Sequence, residues 1–294
     1  MATYKTYDTV GIREDLQDAI YDISPTTTPF MSTIGRTKAK NTYHEWQTDS
    51  LSDVNLANAQ VEGADATSAV LTPTTRVGNY TQISDKVIQV STTDDVVDKA
   101  GRSTETAYQL SKASAEIKRD MESILLSDQA QSAGTSSTAR NLGGLASWIT
   151  TNTVNTAGGA LTEDMLKEAV LKAYNSGGEP DVLLVSPANK QVVSTFAGIA
   201  EQRYQAPKSS PTTIIGAADV YLSDFGSVSV VPDRFLSDDY SFVLDPSMAS
   251  VAYLRPFKSQ KLAKMGDSEK HLLNVEYTLV VNNESAHAMM SDET

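Results

Sequence analysis

Apolar and polar residues recur with two different periods along this chain, and each period predicts one kind of secondary structure. A period of three to four residues begins near Ser103 or Thr104 and continues to Gln131, which is typical of an amphipathic helix. Its predicted inward residues are Ala107, Leu110, Ser114, Ile117, Met121, Ile124 and Leu125. Its predicted outward residues include Lys112, Glu116, Lys118, Arg119 and Glu122. We therefore predict one long helix of about 42 Å, at about 1.5 Å per residue.

Two shorter helices are predicted on either side of a buried strand. Thr162 is a suitable N-cap for the first helix, and Gly177 follows its end. Its predicted inward residues are Leu166, Ala169, Val170 and Ala173. The continuous apolar run at residues 181–186 predicts the strand, and Pro187 would start a helix that ends at Gly198.

Strands are predicted in the remaining apolar stretches, most of them in the last third of the chain. Residues 220–231 predict a hairpin that turns at Phe225 and Gly226. Further strands are predicted at residues 42–48, 240–245, 249–255, 258–263 and 272–283. The predicted inward face of the last of these consists of Leu273, Val275, Tyr277, Leu279 and Val281. This mixture of helices and strands predicts an α+β fold.

Two segments lack the period of a packed element. Residues 1–40 are predicted to form an arm, with a short amphipathic helix at 11–22 that the prolines after it would stop. Residues 51–78 contain no aromatic residue and no lysine, which fits either a flexible linker or a long hairpin-like loop that reaches a neighbouring molecule. The β-branched stretch at residues 80–92 predicts a returning strand, which favours the loop.

Charge and composition limit the classes of function. The 294 residues carry a formal net charge of -13 and include no cysteine, which disfavours DNA binding by phosphate neutralisation and excludes disulfides and thiolate metal sites. Arg255, Lys258, Lys261 and Lys264 would alternate between the faces of a strand, so we expect them to contact acidic neighbours. No apolar run approaches the roughly 18 residues of a membrane span, so no membrane contact is expected.

The polar stretch near the C-terminus is the strongest candidate for a catalytic site. Gly266, Asp267 and Ser268 resemble the nucleophile block of one group of esterases, with His271 or His287 as the base. Catalytic triads gather residues from distant chain positions, whereas Ser268 and His271 stand close together in the sequence. We therefore expect Gly266 to supply a turn with positive φ, and Asp267 and Ser268 to bond the backbone of that turn.

Signals for metal and nucleotide sites are weaker. His44 and Glu45 begin the H-E-x-x-H pattern of zinc proteases, but Thr48 stands where the second histidine is required. Clustered carboxylates that a hard cation could use are Asp94, Asp95, Asp98, Asp238 and Asp239. They match no calcium-loop pattern, and the paired glycines match no phosphate-binding loop. We predict no catalytic, cofactor-binding or metal-binding residue.

The order of these elements and the wording of two blocks carry a family resemblance. Residues 11–35, GIREDLQDAIYDISPTTTPFMSTIG, and residues 230–290, which begin VVPDRFLSDDYSFVLD, resemble the major capsid protein of tailed bacteriophages with the HK-97-like fold. The resemblance implies a division of the chain into an N-arm, an extended loop that lies across the adjacent subunit, a peripheral domain with a spine helix, and an axial domain. The implied ranges are 1–48, 49–80, 81–144 with 236–294 (spine helix about 103–131), and 145–235, in that order.

The same resemblance implies a structural function. The chain would assemble as hexamers and pentamers into an icosahedral shell around double-stranded DNA, without sequence-specific binding. Scaffolding, portal and decoration proteins would be separate partners, and the shell, assembled in the host bacterial cytoplasm, would become part of the virion. No lysine lies between Lys40 and Lys86, so the loop crosslink of some members is not expected. The alternatives are an encapsulin-type bacterial nanocompartment shell and a serine hydrolase using Ser268.

Overall fold

The structure is a computed structural model that describes residues 24, 26–52, 54–63, 65, 71–99, 101, 103–156, 158–196, 220–264 and 266–292. The helices are α1 (Pro29–Thr33), α2 (Thr92–Val96), α3 (Glu105–Leu126), α4 (Leu145–Trp148), α5 (Glu163–Asn175) and α6 (Pro187–Val193). The strands are β1 (Gly35–Lys38), β2 (Tyr43–Thr48), β3 (Thr75–Tyr80), β4 (Gln82–Ser91), β5 (Thr153–Asn155), β6 (Val182–Val185), β7 (Val220–Ser223), β8 (Gly226–Pro232), β9 (Tyr240–Leu244), β10 (Ala249–Lys261), β11 (Ser268–Val281) and β12 (Ala288–Ser291). None of these helices is long and apolar enough to cross a membrane.

The predicted long helix is present as α3, but it is shorter than predicted. Thr104 caps its start, where its hydroxyl oxygen accepts a hydrogen bond from Ala107 N at 3.4 Å. The helix ends at Leu126 rather than Gln131 because Ser127 is extended, with φ -69° and ψ 168°. The Ser127 hydroxyl donates to the carbonyl of Ile124 at 2.7 Å and so satisfies one of the last helical acceptors.

The inward face of α3 is predicted correctly in its second half and wrongly at two positions. Ile117, Met121 and Leu125 are buried in the main apolar core. Ala107, predicted inward, is exposed because the first turns of α3 extend beyond that core. Glu122, predicted outward, is fully buried, and its carboxyl oxygens accept hydrogen bonds from the backbone N–H groups of Phe30 and Met31.

The four-stranded sheet has the order β1, β10, β11, β4. The strands predicted at 249–255 and 258–263 form the single strand β10. Its register with β11 shifts twice around Pro256, which has no N–H to donate to the neighbouring strand. The residues predicted to face inward on β11 are all buried: Leu273, Val275, Tyr277, Leu279 and Val281. Together with α3, they form the centre of the main core.

The six-stranded sheet has the order β5, β12, β9, β6, β8, β7, with α5 and α6 packed on it. The predicted cap at Thr162, the four inward residues of α5 and the hairpin at Phe225 and Gly226 are confirmed. The helix predicted to reach Gly198 ends at Val193. Just after this end, Thr195 N and Phe196 N donate hydrogen bonds to the carbonyls of Val192 and Val193. Strands β9 and β12 belong to this sheet, although they lie in the range 236–294.

A two-stranded hairpin of β2 and β3 projects from the body. β2 was predicted, whereas β3 was not, because Gly78 and Asn79 are poor strand formers. Thr48 lies opposite Thr75, so one connection joins the two strands, as the hairpin interpretation predicts. The prediction that residues 80–92 return along this hairpin is wrong, because that stretch forms β4, which pairs with β11 in the four-stranded sheet. The predicted arm helix at 11–22 lies outside the described residues. After it, Pro29 starts the short helix α1, as proline does readily at a first helical position.

Candidate functional site

The loop between β2 and β3 presents large apolar side chains to solvent. The exposed fractions of these side chains are 98% for Leu51, 86% for Val54, 96% for Leu56, 80% for Val61 and 89% for Leu71. Isolated exposed apolar residues are ordinary on protein surfaces, but a group of them on one projecting segment is typical of a surface that binds a partner. The described part of this loop 49–74, which comprises residues 49–52, 54–63, 65 and 71–74, is the candidate assembly surface.

The end of the hairpin opposite the loop is anchored by a buried asparagine. Asn79 Nδ2 donates to the carbonyls of Gly143 at 3.0 Å and Leu279 at 2.9 Å, and Asn79 Oδ1 accepts from Gly143 N at 2.8 Å. Next to it, a Cβ atom on Gly78 would lie 2.7 Å from the carbonyl oxygen of His44, so only glycine fits there. The hairpin therefore has a fixed position on the body.

An aromatic contact adds a second anchor. The rings of Trp46 on β2 and Trp148 on α4 lie 5.4 Å apart, and Trp46 also packs against a small core of Ala39, Ala252 and Val280. These are the two tryptophans of the chain. Intrinsic fluorescence therefore reports directly on whether the hairpin is docked.

A second exposed apolar surface lies on the six-stranded sheet. Tyr174 at the end of α5 stacks on Phe225 of the β7–β8 turn, with ring centroids 4.7 Å apart. Each of the two residues is nearly half exposed, and β7 is the edge strand of the sheet. Leu171 of α5 is also exposed, whereas Val220 and Leu222 are exposed on the other face of β7, because Tyr221 between them packs against α5. Sequence reasoning missed this surface, although Tyr174 is an aromatic residue outside the predicted inward set.

The esterase-like residues do not form a triad, since His271 lies three residues after Ser268 in β11 and therefore faces the opposite side of the strand. Gly266 has the predicted positive φ, +75°, and Ser268 begins β11, where its hydroxyl accepts a hydrogen bond from Gln89 Nε2 at 2.7 Å. His287 lies beyond the other end of β11, whose 14 residues extend on the order of 40 Å at about 3.3 Å per residue. Burial lowers the pKa of His287 to about 4, and its Nδ1 accepts from Asp245 N at 3.2 Å. A neutral, buried histidine this far away does not activate Ser268.

The clustered carboxylates have local structural partners. Asp94 and Asp95 lie in the first turn of α2, and both oxygens of Asp95 accept hydrogen bonds from Thr106, from its N and its Oγ1, at 3.0 Å. The hydrogen bond from Thr106 N is the main cause that lowers the pKa of Asp95. Asp239 accepts from Ser237 Oγ at 2.6 Å. Within the described ranges, no three histidine or acidic side chains are grouped as metal ligands.

The basic stretch of β10 contacts acidic neighbours, as predicted. Arg255 Nε lies 2.7 Å from one carboxylate oxygen of Glu276, and Arg140 Nη2 lies 2.7 Å from the other. Thr81 Oγ1 also donates to Glu276, at 2.8 Å. Glu276 is almost fully buried, so this network connects the sheet with the loop that follows α3.

Comparisons with solved structures identify the fold. A structure from Mycobacterium phage Adephagia has a TM-score of 0.66 at 13% identity and covers 100% of this chain and 99% of that chain. The capsid structure of Cyanophage P-SCSP1u has a TM-score of 0.66 at 9% identity, with coverage of 97% and 94%. The SrpI encapsulin of Synechococcus elongatus PCC 7942 has a TM-score of 0.61 at 15% identity, with coverage of 99% and 96%. The fold is therefore the HK-97-like fold, as the resemblance predicted.

Sequence comparisons are more specific than these fold relationships. The profile of the SU10 major capsid protein family matches residues 2–294. The major capsid protein of Escherichia phage Phieco32 is 29% identical over 340 residues, which cover 98% of this chain and 96% of that protein. The chain belongs to the SU10 major capsid protein family, and the predicted role of a phage major capsid protein is confirmed. The encapsulin is a relative in fold only.

Proposed function

We propose that the chain assembles as hexamers and pentamers into the icosahedral shell of a tailed phage and that this shell encloses double-stranded DNA. The observation that carries this proposal is the exposed apolar loop 49–74 on its anchored hairpin. Closed shells are built from heterologous interfaces, in which one surface meets a different surface of the next copy. The loop supplies the first surface, and the body of an adjacent subunit supplies the second.

The two large sheets support a proposed division into domains. We propose that α3 and the four-stranded sheet form the peripheral domain and that residues 145–235 form the axial domain. Because β9 and β12 are hydrogen-bonded within the six-stranded sheet, they are best grouped with the axial domain. Residues 1–48 are assigned to the N-arm, and residues 49–80 to the extended loop with its returning strand.

The remaining parts of the proposal concern partners and chemistry. A net charge of -13 disfavours adhesion to packaged DNA, so we infer that the shell confines the genome by its closed geometry. The wide separation of Ser268 and His287, together with the membership of a structural family, supports a protein without catalytic activity. Scaffolding, portal and decoration proteins are proposed as separate partners, with assembly in the host bacterial cytoplasm.

Replacement of the loop tests its role in assembly. Thr48 and Thr75 are directly opposite, so an Asn-Gly turn in place of residues 49–74 closes the hairpin without moving its strands. We expect this variant to keep the circular dichroism and tryptophan fluorescence of the parent, because the anchors at Asn79 and Trp46 remain. We expect no closed particles by electron microscopy under conditions where the parent forms them.

Two paired substitutions separate apolar contact from loop length. Leu56→Ser with Val61→Ser removes two exposed apolar side chains, whereas Asn58→Ser with Gln60→Ser changes polar ones in the same segment. The first pair is expected to reduce particle yield at least tenfold, and the second pair to leave the yield unchanged. Closed particles at the parental yield from the loop replacement would contradict the proposed role of the loop in assembly, whereas a parent that forms no closed particles would contradict the proposed function.

A further inference from the structure

Two carboxyl groups are buried together under the short helix α1. Glu122 comes from α3 and Asp233 from the turn after β8, and both residues have 0% exposure. Glu122 Oε1 accepts a hydrogen bond from Phe30 N at 2.6 Å, and Oε2 accepts one from Met31 N at 3.0 Å. These N–H groups belong to the first turn of α1 and have no partner within the helix. These two hydrogen bonds to Glu122 therefore hold the first turn of α1 against α3.

One buried carboxyl oxygen of Asp233 lacks a hydrogen-bond donor, which a protonated neighbouring carboxyl group would supply. Asp233 Oδ1 accepts from Phe235 N at 2.8 Å, but the buried Oδ2 meets no hydrogen-bond donor in the part of the chain that the structure describes. Ionised carboxylates are acceptors only, so two of them side by side leave Oδ2 unsatisfied. A single proton on Glu122 provides the donor that Oδ2 lacks, while the Glu122 oxygens still accept from α1.

Among the residues that the structure describes, no positive charge compensates the pair. Helix α1 carries no titratable side chain, and the guanidinium of Arg119 lies over the Phe235 ring, 5.4 Å from its centroid. The other charged residues nearby on α3 and the two turns that follow α3 and β8 are exposed: Lys118, Asp120, Asp128 and Arg234. Burial and the neighbouring Asp233 raise the pKa of Glu122 to about 8, although the hydrogen bonds from Met31 and Phe30 oppose the rise. Burial also raises the pKa of Asp233.

We propose that Glu122 and Asp233 form a proton-dependent latch that holds residues 29–34 against the body of the protein. Phe30 and Met31 are themselves buried, so their release admits water to Glu122 and returns its carboxyl group toward ordinary acidity. The docked state therefore binds one proton more than the released state. Protons stabilise docking fully below the ordinary pKa of 4.5, and this stabilisation is lost as the pH rises through about 8. All groups of the latch belong to one chain, so the proposal does not rest on assembly of the chain into a shell.

Hydrogen exchange measured by mass spectrometry on the full-length chain tests the latch. The probe is a peptide covering residues 29–34, whose sequence is the same in every variant, so intrinsic exchange rates cancel between variants. For the parent chain, we expect amide protection relative to intrinsic exchange to fall about tenfold per pH unit between about pH 5.5 and 7.5 and to level off above about pH 8. Light scattering at each pH verifies that the parent and the variants are compared in the same assembly state.

Three variants give distinct results. Glu122→Gln keeps one acceptor and donates to Asp233, so its protection is expected to lose the pH dependence. Asp233→Asn removes the like charge and is expected to move the midpoint to lower pH. Asp120→Asn, an exposed change on the same helix, is expected to match the parent. A flat parental profile, a parent-like slope in Glu122→Gln or an unmoved midpoint in Asp233→Asn overturns the latch. If Glu122→Gln does not fold, the other two measurements still decide.

Discussion

At the scale of single residues, Glu122 and Glu276 are charged side chains that contacts between distant segments of the chain bury. The spacing of α3 places Glu122 next to Met121 at the edge of the inward face, and its charge favours the outward assignment. What reverses that assignment is contact with Phe30 and Met31, which are more than ninety residues earlier in the chain. Glu276 is similar, because its two arginine partners come from different segments. Such contacts depend on tertiary structure and leave no local pattern.

Glu276→Gln tests how much the buried ion network contributes to stability. The substitution keeps the shape of the side chain but removes the charge that Arg140 and Arg255 contact. Because Glu276 is buried while both arginines are partly exposed, we expect a loss of about 2 kcal/mol in the free energy of unfolding. Urea denaturation measures it. Glu269→Gln, which removes the exposed pair with Lys261, is the control, and an equally large change there would contradict this interpretation.

At the scale of elements, the helices and strands predicted from the sequence are those whose local apolar pattern matches the face that they bury. Helix α5 has a cap, a periodic apolar face and a glycine at its end, and all three were predicted. Strand β3 was missed because two of its residues have low strand propensity. Gly78 is required where the backbone of His44 approaches closely, and Asn79 donates hydrogen bonds to the carbonyls of Gly143 and Leu279. The candidate assembly loop could be located from composition, but the anchors of its hairpin could not.

Asn79→Ala tests the anchor of the hairpin. The substitution removes three hydrogen bonds in a buried site and leaves Gly143 N and two carbonyls without their partner. We expect a loss of about 3 kcal/mol in the free energy of unfolding, at roughly 1 kcal/mol for each bond. We also expect altered tryptophan fluorescence, since Trp46 and Trp148 meet at this hairpin. Gln47→Ala, at an exposed position of the same hairpin, should leave both measurements unchanged, and equal effects from the two variants would contradict the anchor.

At the scale of the whole molecule, chain order does not reveal which strands share a sheet. Strands β9 and β12 come from the strand-rich C-terminal third, yet they complete the six-stranded sheet beside β6. The two sheets pack on a common core in which Leu184 and Phe242 meet residues of α3 and β11. The apolar surfaces of the described chain that stay exposed around this core include the loop 49–74 and the stack of Tyr174 on Phe225. Both are available to neighbouring copies of the chain.

Phe225→Ser tests whether the second of these surfaces takes part in the shell. Phe225 lies in an exposed turn and packs on Tyr174 rather than in a core, so we expect the free energy of unfolding to change by less than about 1 kcal/mol. Truncation of a central aromatic residue in an interface costs about 2 kcal/mol or more, which weakens each subunit contact roughly thirtyfold.

Particle yield, measured by electron microscopy and sedimentation at a fixed protein concentration, should therefore fall steeply in Phe225→Ser. Each subunit repeats the contact around the shell, so a loss at one surface is multiplied through the assembly. Glu168→Gln changes an exposed residue on another side of α5 and is the matched control, for which we expect the parental yield. Parental yield from Phe225→Ser would place this surface outside the subunit interfaces and leave the loop 49–74 as the main apolar contact.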